Sequence, residues 1–366
     1  MLRRVAKLTL FYAILFFIPV VIWVNVSGTT IFKPSTTWDE YDTPEEAGFD
    51  EDKLNEARVY FNSLNSTAGI AIYKGKVLFA WGDIASNTNA HSVRKSILSG
   101  MYGSFVEDET IKLDQKIGEL GVVDFPPLSS VENQARVKHL LTSRSGVYLR
   151  AGEESFAMRR KRPDRETHEP GSHFYYNNWD FNVLGTIFNN ETGVDLFEHF
   201  EETIAEPLEM EDFSLRNTEY SVEAGRSIHP SYLFKMSARD MARYGQLFLQ
   251  GGEWEGEQII PKDWVEESTS VQVPVPGNSI YDYGYMWWVA TEEPYKSLGM
   301  YSAVGRYGQS IDIIPEKDLV FVHRVDSDRL TFRFLRRGVT QSQRLYLLRM
   351  ILDAKIEEER DVLDNR

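Results

Sequence analysis

The stretch His91-Ser92-Val93-Arg94-Lys95-Ser96, continued by Ile97-Leu98-Ser99-Gly100-Met101-Tyr102-Gly103-Ser104-Phe105, decides how this chain is read. Ile97, Met101 and Phe105 recur at i, i+4 and i+8, with Leu98 and Tyr102 beside them, so the spacing predicts a helix that buries that side. Ser92 and Lys95 stand three residues apart where the stripe begins. On a helix that interval makes them neighbours and brings the Lys95 ammonium within reach of the Ser92 hydroxyl. A serine hydroxyl is a poor nucleophile until a nearby base or cation changes its proton affinity. The helix N-terminus adds positive potential and free N–H groups where negative charge would form. Ser92–Lys95 is the one Ser-x-x-Lys in a chain of 15 lysines, a number that chance alone supplies, so order and context must decide.

The context lies in three later segments. The first is Phe174-Tyr175-Tyr176-Asn177-Asn178-Trp179-Asp180-Phe181, leading to Leu184-Gly185. The second is Met236-Ser237-Ala238-Arg239-Asp240-Met241, running on to Gly251-Gly252. The third is Ala303-Val304-Gly305-Arg306-Tyr307-Gly308-Gln309, leading into the strand-like Ser310-Ile311-Asp312-Ile313-Ile314-Pro315. Together with the Ser-x-x-Lys motif, these segments resemble the β-lactamase-related serine hydrolases: class C β-lactamases, bacterial esterases, 6-aminohexanoate-dimer hydrolases and penicillin-binding proteins. Val137-Lys138-His139-Leu140-Leu141-Thr142-Ser143-Arg144-Ser145-Gly146 resembles that family's linker after the nucleophile helix. The resemblance covers roughly residues 36 to 355, with the motifs in family order.

The resemblance implies that Ser92 is the acyl-accepting nucleophile and Lys95 its activating partner. For the family's Tyr-x-Asn element, spacing to Phe181 and Leu184-Gly185 favours Tyr176 and Asn178 over Tyr175 and Asn177, while Tyr60 with Asn62 precedes the serine. A phenol loses its proton near pH ~10, and beside Lys95 the Tyr176 anion is expected to be stabilised, so that it can take and return a proton. The strand element that reads Lys-Thr-Gly or His-x-Gly in the family is expected at Arg306-Tyr307-Gly308. Arginine keeps the charge but shuttles no proton, and Tyr307 replaces the small hydroxyl that helps hold a β-lactam carboxylate. The backbone N–H of Gln309, with that of Ser92, is the oxyanion hole the resemblance implies.

Rival chemistries find less support. There is no Gly-x-Ser-x-Gly elbow, and His168 and His173 lie in His-Glu-Pro-Gly-Ser-His, which cannot form a His-Glu-x-x-His helix. No metal or cofactor is expected. The net charge of −15 disfavours nucleic acid and anionic membrane surfaces as partners, and Arg159-Arg160-Lys161-Arg162 reads as a solvated loop near the cleft. The expected partner is a small acyl substrate, an amide or an ester. A peptidoglycan D,D-carboxypeptidase and a catalytically silent, membrane-tethered ligand-binding module are the alternatives; the oligomeric state has no sequence signal.

Arg3, Arg4 and Lys7 precede the uncharged apolar run Leu8–Val24, so residues 1–28 read as a signal peptide or an N-terminal membrane anchor. The catalytic body is then exported, to the periplasm, and touches a membrane only through that segment. The fold expected for residues 36–360 is α+β, β-lactamase/transpeptidase-like. An antiparallel sheet from both chain ends (36–88 with 283–360), flanked by helices, carries a large, mainly helical insertion (89–282). Its strands are a hairpin at Ile70–Trp81 and runs at Tyr283–Ala290, Met300–Val304, Gln309–Ile314 and Leu319–Val325, with a closing helix at Leu345–Glu359.

Overall fold

The computed structural model describes residues 38–329 and 338–356, so the expected targeting segment 1–28 lies outside the described residues. Helix α1 (Glu51–Ser63) is capped by Asp50, whose carboxylate accepts from Lys53 N at 3.1 Å. The expected hairpin follows as β1 (Ala68–Tyr73) and β2 (Lys76–Gly82). Lys74 and Gly75 between them both take positive φ, the twist that suits a two-residue hairpin turn.

The rest of the main sheet comes from the far end of the chain. Strands β3 (Thr88–Asn89), β4 (Thr218–Ser221) and β5 (Ser231–Met236) form a small sheet of their own, and β6 (Glu253–Trp254) pairs with β7 (Glu257–Gln258). Then β8 (Tyr281–Tyr283), β9 (Trp288–Ala290), β10 (Tyr301–Gly305), β11 (Gln309–Ile314) and β12 (Leu319–Arg324) join the hairpin in the order β2-β1-β12-β11-β10-β9-β8, every pair antiparallel. The sheet is therefore built from both ends of the domain, as the sequence predicts.

Two expectations shift. The single strand expected over Tyr283–Ala290 is broken into β8 and β9 by a tight bend. Gly284 there lies so close to Ser268 that a Cβ would meet its carbonyl at 2.2 Å, and Met286 has a φ of 63°. The closing helix runs over Gln341–Asp353, starting earlier than expected because Thr340 caps it by accepting from Gln343 N. The inserted region is mainly helical, as expected, and also holds β4 and β5.

Strand alternation divides the core between the two faces of the sheet. Ile70, Ile72, Val320 and Val322 face one core, and Ala71, Tyr73, Leu319 and Phe321 the other. α1 and the closing helix cover the second face through Leu54, Phe61, Leu345 and Leu348. The first face carries α2 (Val93–Glu107), α3 (Val137–Leu141), α5 (Asn178–Thr192), α6 (Leu196–Phe200), α7 (Ala238–Leu249) and α8 (Lys262–Ser268), while the short α4 (Phe156–Lys161) buries no residue. Gly245 lets α7 approach the sheet, since a Cβ there would meet Val320 and Ile311 side chains at 2.6 and 2.7 Å. Among the described residues, no helix is long and apolar enough to cross a membrane.

Candidate active site

Ser92 is the N-cap of α2 and follows His91, which is held in the left-handed region (φ 49°) by Asn89, whose side chain accepts from His91 N at 2.7 Å. α2 is buried almost all round, from Val93 to Gly103, so the hydroxyl at its tip sits on a rigid axis. Of the other serines of the stretch, Ser104 is exposed away from the cleft, Ser96 Oγ donates to Met286 O (2.7 Å) and Ser99 Oγ to Tyr285 O (2.6 Å). That leaves Ser92, half-buried, at a cleft of about 290 Å³.

Lys95 is 2% exposed and its Nζ donates to Ser92 Oγ at 2.9 Å. Burial drives its ammonium well below the ordinary lysine range, the neighbouring cations Arg94 and Arg306 push the same way, and Glu153 opposes them. The amine lies 4.9 Å from the Tyr176 ring centre and 4.8 Å from that of Phe181.

Tyr176 reaches the cleft because the segment before α5 is pinned from below. Ser143 Oγ donates to Tyr175 O (2.8 Å) and accepts from Asn177 N (2.8 Å). Asn177 caps α5 and donates from its amide to Val147 O (2.7 Å) and Asp180 Oδ1 (2.8 Å), while Asp180 also takes the Ser145 hydroxyl at 2.5 Å. The stretch Thr142–Gly146, which the sequence offers only as a linker, is therefore the clamp under the phenol. Phe181, Tyr283 and Trp288 box the Tyr176 ring at 5.0, 6.0 and 5.6 Å. Burial pushes the phenol up to about 12, against the smaller opposing effects of its hydrogen bond with Ser92 and the charge of Arg94. The sequence-based expectation of a stabilised tyrosinate is thus reversed: desolvation wins, and Tyr176 remains a neutral donor near pH 7.

Asn178 is 3% exposed and lines the same cleft; its amide donates to Gly152 O at 3.2 Å, and its Oδ1 has no partner. The third element behaves differently. Arg306-Tyr307-Gly308 is a turn between β10 and β11 rather than part of a strand, because Tyr307 and Gly308 both take positive φ (71° and 103°). Val304, Gly305 and Arg306 line the cleft with Ser92, whereas Tyr307, Gly308 and Gln309 do not. Tyr307 packs edge-on against His91 at 5.2 Å, Gly308 O faces the His323 ring, and the Gln309 carboxamide is spent on Val325. Gln309 is fully buried in the β10–β11 ladder opposite Gly305, and Arg306 is the residue of that segment at the cleft.

Among the lining residues that sequence reasoning passed over are His91, Arg94, Glu153 and Trp288. His91 is held to about 3 by burial and the surrounding cations, so it is a neutral imidazole bonded to Ser327 Oγ at 2.7 Å. Two of these lie inside the motif itself, but nothing in a local pattern says which way they point. Among the described residues no cluster of His, Asp and Glu could hold a metal.

The site thus sets a serine hydroxyl beside a buried lysine amine and a neutral tyrosine, on an antiparallel sheet flanked by helices. The chain belongs to the β-lactamase family, whose model matches residues 75–336. Among solved structures it resembles a Bacillus anthracis protein assigned as a 6-aminohexanoate-dimer hydrolase, 23% identical over 81% of this chain and 80% of that one (TM-score 0.61). A penicillin-binding protein homologue from Pyrococcus abyssi, described as octameric, is 18% identical over 79% and 78% (TM-score 0.57). A class C β-lactamase solved with cefoxitin is 14% identical over 83% and 98% (TM-score 0.60). A search of curated protein sequences finds no significant match.

Proposed function

We propose that this protein is an exported serine hydrolase that cleaves an amide or ester through an acyl-enzyme on Ser92. The observation that carries the reading is the 2.9 Å contact between Lys95 Nζ and Ser92 Oγ, with burial favouring the uncharged amine. In that form Lys95 takes the hydroxyl proton as Oγ attacks the substrate carbonyl. The oxyanion is met by N–H groups at the start of α2 and at Arg306, beside the end of β10. Tyr176, neutral in the box of aromatic rings, donates a proton to the departing amine or alcohol, and water then releases the acyl group by the reverse sequence. Asn178 Oδ1, buried and unpartnered, accepts from a substrate N–H. Export rests on the cationic and apolar pattern of residues 1–28. The turn at Arg306-Tyr307-Gly308 offers no small hydroxyl beside its cation, which favours linear amides and esters over β-lactams.

Labelling with a fluorophosphonate followed by peptide mass spectrometry should put the adduct on Ser92, and Ser92→Ala should lose activity and labelling while melting as the wild type does. An adduct on another serine, or rapid nitrocefin turnover, would overturn the reading. The same chemistry sets a pH profile. The kcat/KM of the wild type should rise with pH as Lys95 deprotonates, at a midpoint below lysine's ordinary range, and fall only as Tyr176 ionises near 12. Tyr176→Phe should lower kcat by about 10²–10⁴, the usual worth of a positioned acid.

A further inference from the structure

The cleft is cationic in a chain of net charge −15. With Lys95 uncharged, its charged lining is Arg94, Arg306 and Glu153, and of these Arg94 is the unusual one. It is the second residue of α2 and only 3% exposed. Its guanidinium lies 4.4 Å over the Tyr232 ring, Nη2 donates to Asn182 Oδ1 at a long 3.5 Å, and Nη1 has no partner. None of the ion pairs among the described residues includes it. Removing a cation from water without a counter-charge is costly, so its place in the wall of a cleft asks for an anion from outside. Arg306, exposed at the opposite wall, and the N-terminus of α2 add potential of the same sign. Glu153, the single acid in the lining, is exposed like Arg306 and opposes the two arginines at Lys95.

We propose that the cleft selects acyl substrates bearing a carboxylate, and that Arg94 supplies the buried charge that recognises it. In the low-dielectric wall a charge acts across the cleft even before direct contact, and the acidic surface around it sharpens the contrast that an incoming anion meets. The substrate class rests on the acyl-transfer reading of the site, whereas the anion site itself does not.

The test compares two esters with the same chain length, p-nitrophenyl hexanoate and the p-nitrophenyl monoester of adipic acid, which differ only in the terminal carboxylate. A second pair places the carboxylate on the leaving group: hexanoate esters of 4-hydroxybenzoate and of phenol. The wild type should favour the charged member of at least one pair by tenfold or more in kcat/KM. Arg94→Met should bring that ratio to about one while Ser92 still takes a fluorophosphonate, and Arg94→Lys should keep part of it. An unchanged ratio in Arg94→Met would overturn the proposal. So would an equal loss on both members with the acid limb of the pH profile displaced, because Arg94 would then act only through Lys95. A readout without catalysis separates the two claims: adipate should raise the Tm of the wild type and not that of Arg94→Met. If no ester is turned over but this shift is seen, the hydrolase reading fails and the anion site stands; no shift and no ratio sink the anion site.

Discussion

Two buried arginines, on opposite faces of the same sheet, are treated in opposite ways. Arg344, on the closing helix, is 1% exposed and is fully compensated: it pairs with Asp312 on β11 and donates to Tyr281 Oη at 3.2 Å. Asp312 in turn accepts from Ser302 (2.7 Å) and Ser310 (2.9 Å), and the carboxylate holds the Arg344 guanidinium above its ordinary range. Arg94, on the cleft face, is as well buried and has a ring and a distant amide in place of an acid. The side chains are chemically the same, so the difference lies in what each environment completes. Around Arg344 the fold supplies the anion; around Arg94 it does not.

The comparison breaks most visibly on the compensated side. Arg344→Met should leave Asp312 buried without its cation and cost about 3–5 kcal/mol, a fall in Tm on the order of 10 °C by calorimetry. Arg94→Met, in contrast, removes a charge that nothing in the fold balances and should move stability by no more than about 1 kcal/mol. Equal melting losses in the two variants would show that the arginines do the same job. A built-in counter-charge sharpens the point. Asn182→Asp, nearly isosteric and already at 3.5 Å from the guanidinium, should weaken any preference for carboxylate substrates roughly tenfold, about 1.4 kcal/mol in transition-state binding. The smallest effect belongs to Arg306→Ala: its cation is exposed and screened, so the preference for charged substrates should fall only about threefold.

Much of this molecule is legible in its sequence because much of it is local. The i, i+3 spacing of Ser92 and Lys95, the apolar stripe of α2 and the alternation along β1, β11 and β12 are all short-range signals, and each element stands where those signals put it. Tyr176 and Asn178 both line the cleft, while Asn177 is spent on capping α5. What was not legible depends on contacts between distant residues. The bend that splits β8 from β9 is imposed by Ser268 and Leu141, which accept from Tyr285 N and Met286 N. Arg306-Tyr307-Gly308 was expected on a strand because a run of residues reads alike as a strand or as the turn that starts one, and only the positive φ of Tyr307 and Gly308 tells them apart. The burial that reverses the expected ionisation of Tyr176 comes from Trp288, Tyr283 and Phe181, two of them more than a hundred residues away.

Ser96 and Ser99, two buried serines of α2, have a bearing on how this protein could change. By donating to Met286 and Tyr285 carbonyls, Ser96 and Ser99 rivet the bend before Trp288 to the helix that carries Ser92. One wall of the cleft therefore cannot widen without displacing the nucleophile. The opposite wall, from Glu153 to Met158, hangs on an irregular loop and the short α4 and carries no such rivet to α2. A lineage adapting to bulkier substrates would accumulate its substitutions along that loop, and directed evolution would find its gains there while leaving 284–288 untouched.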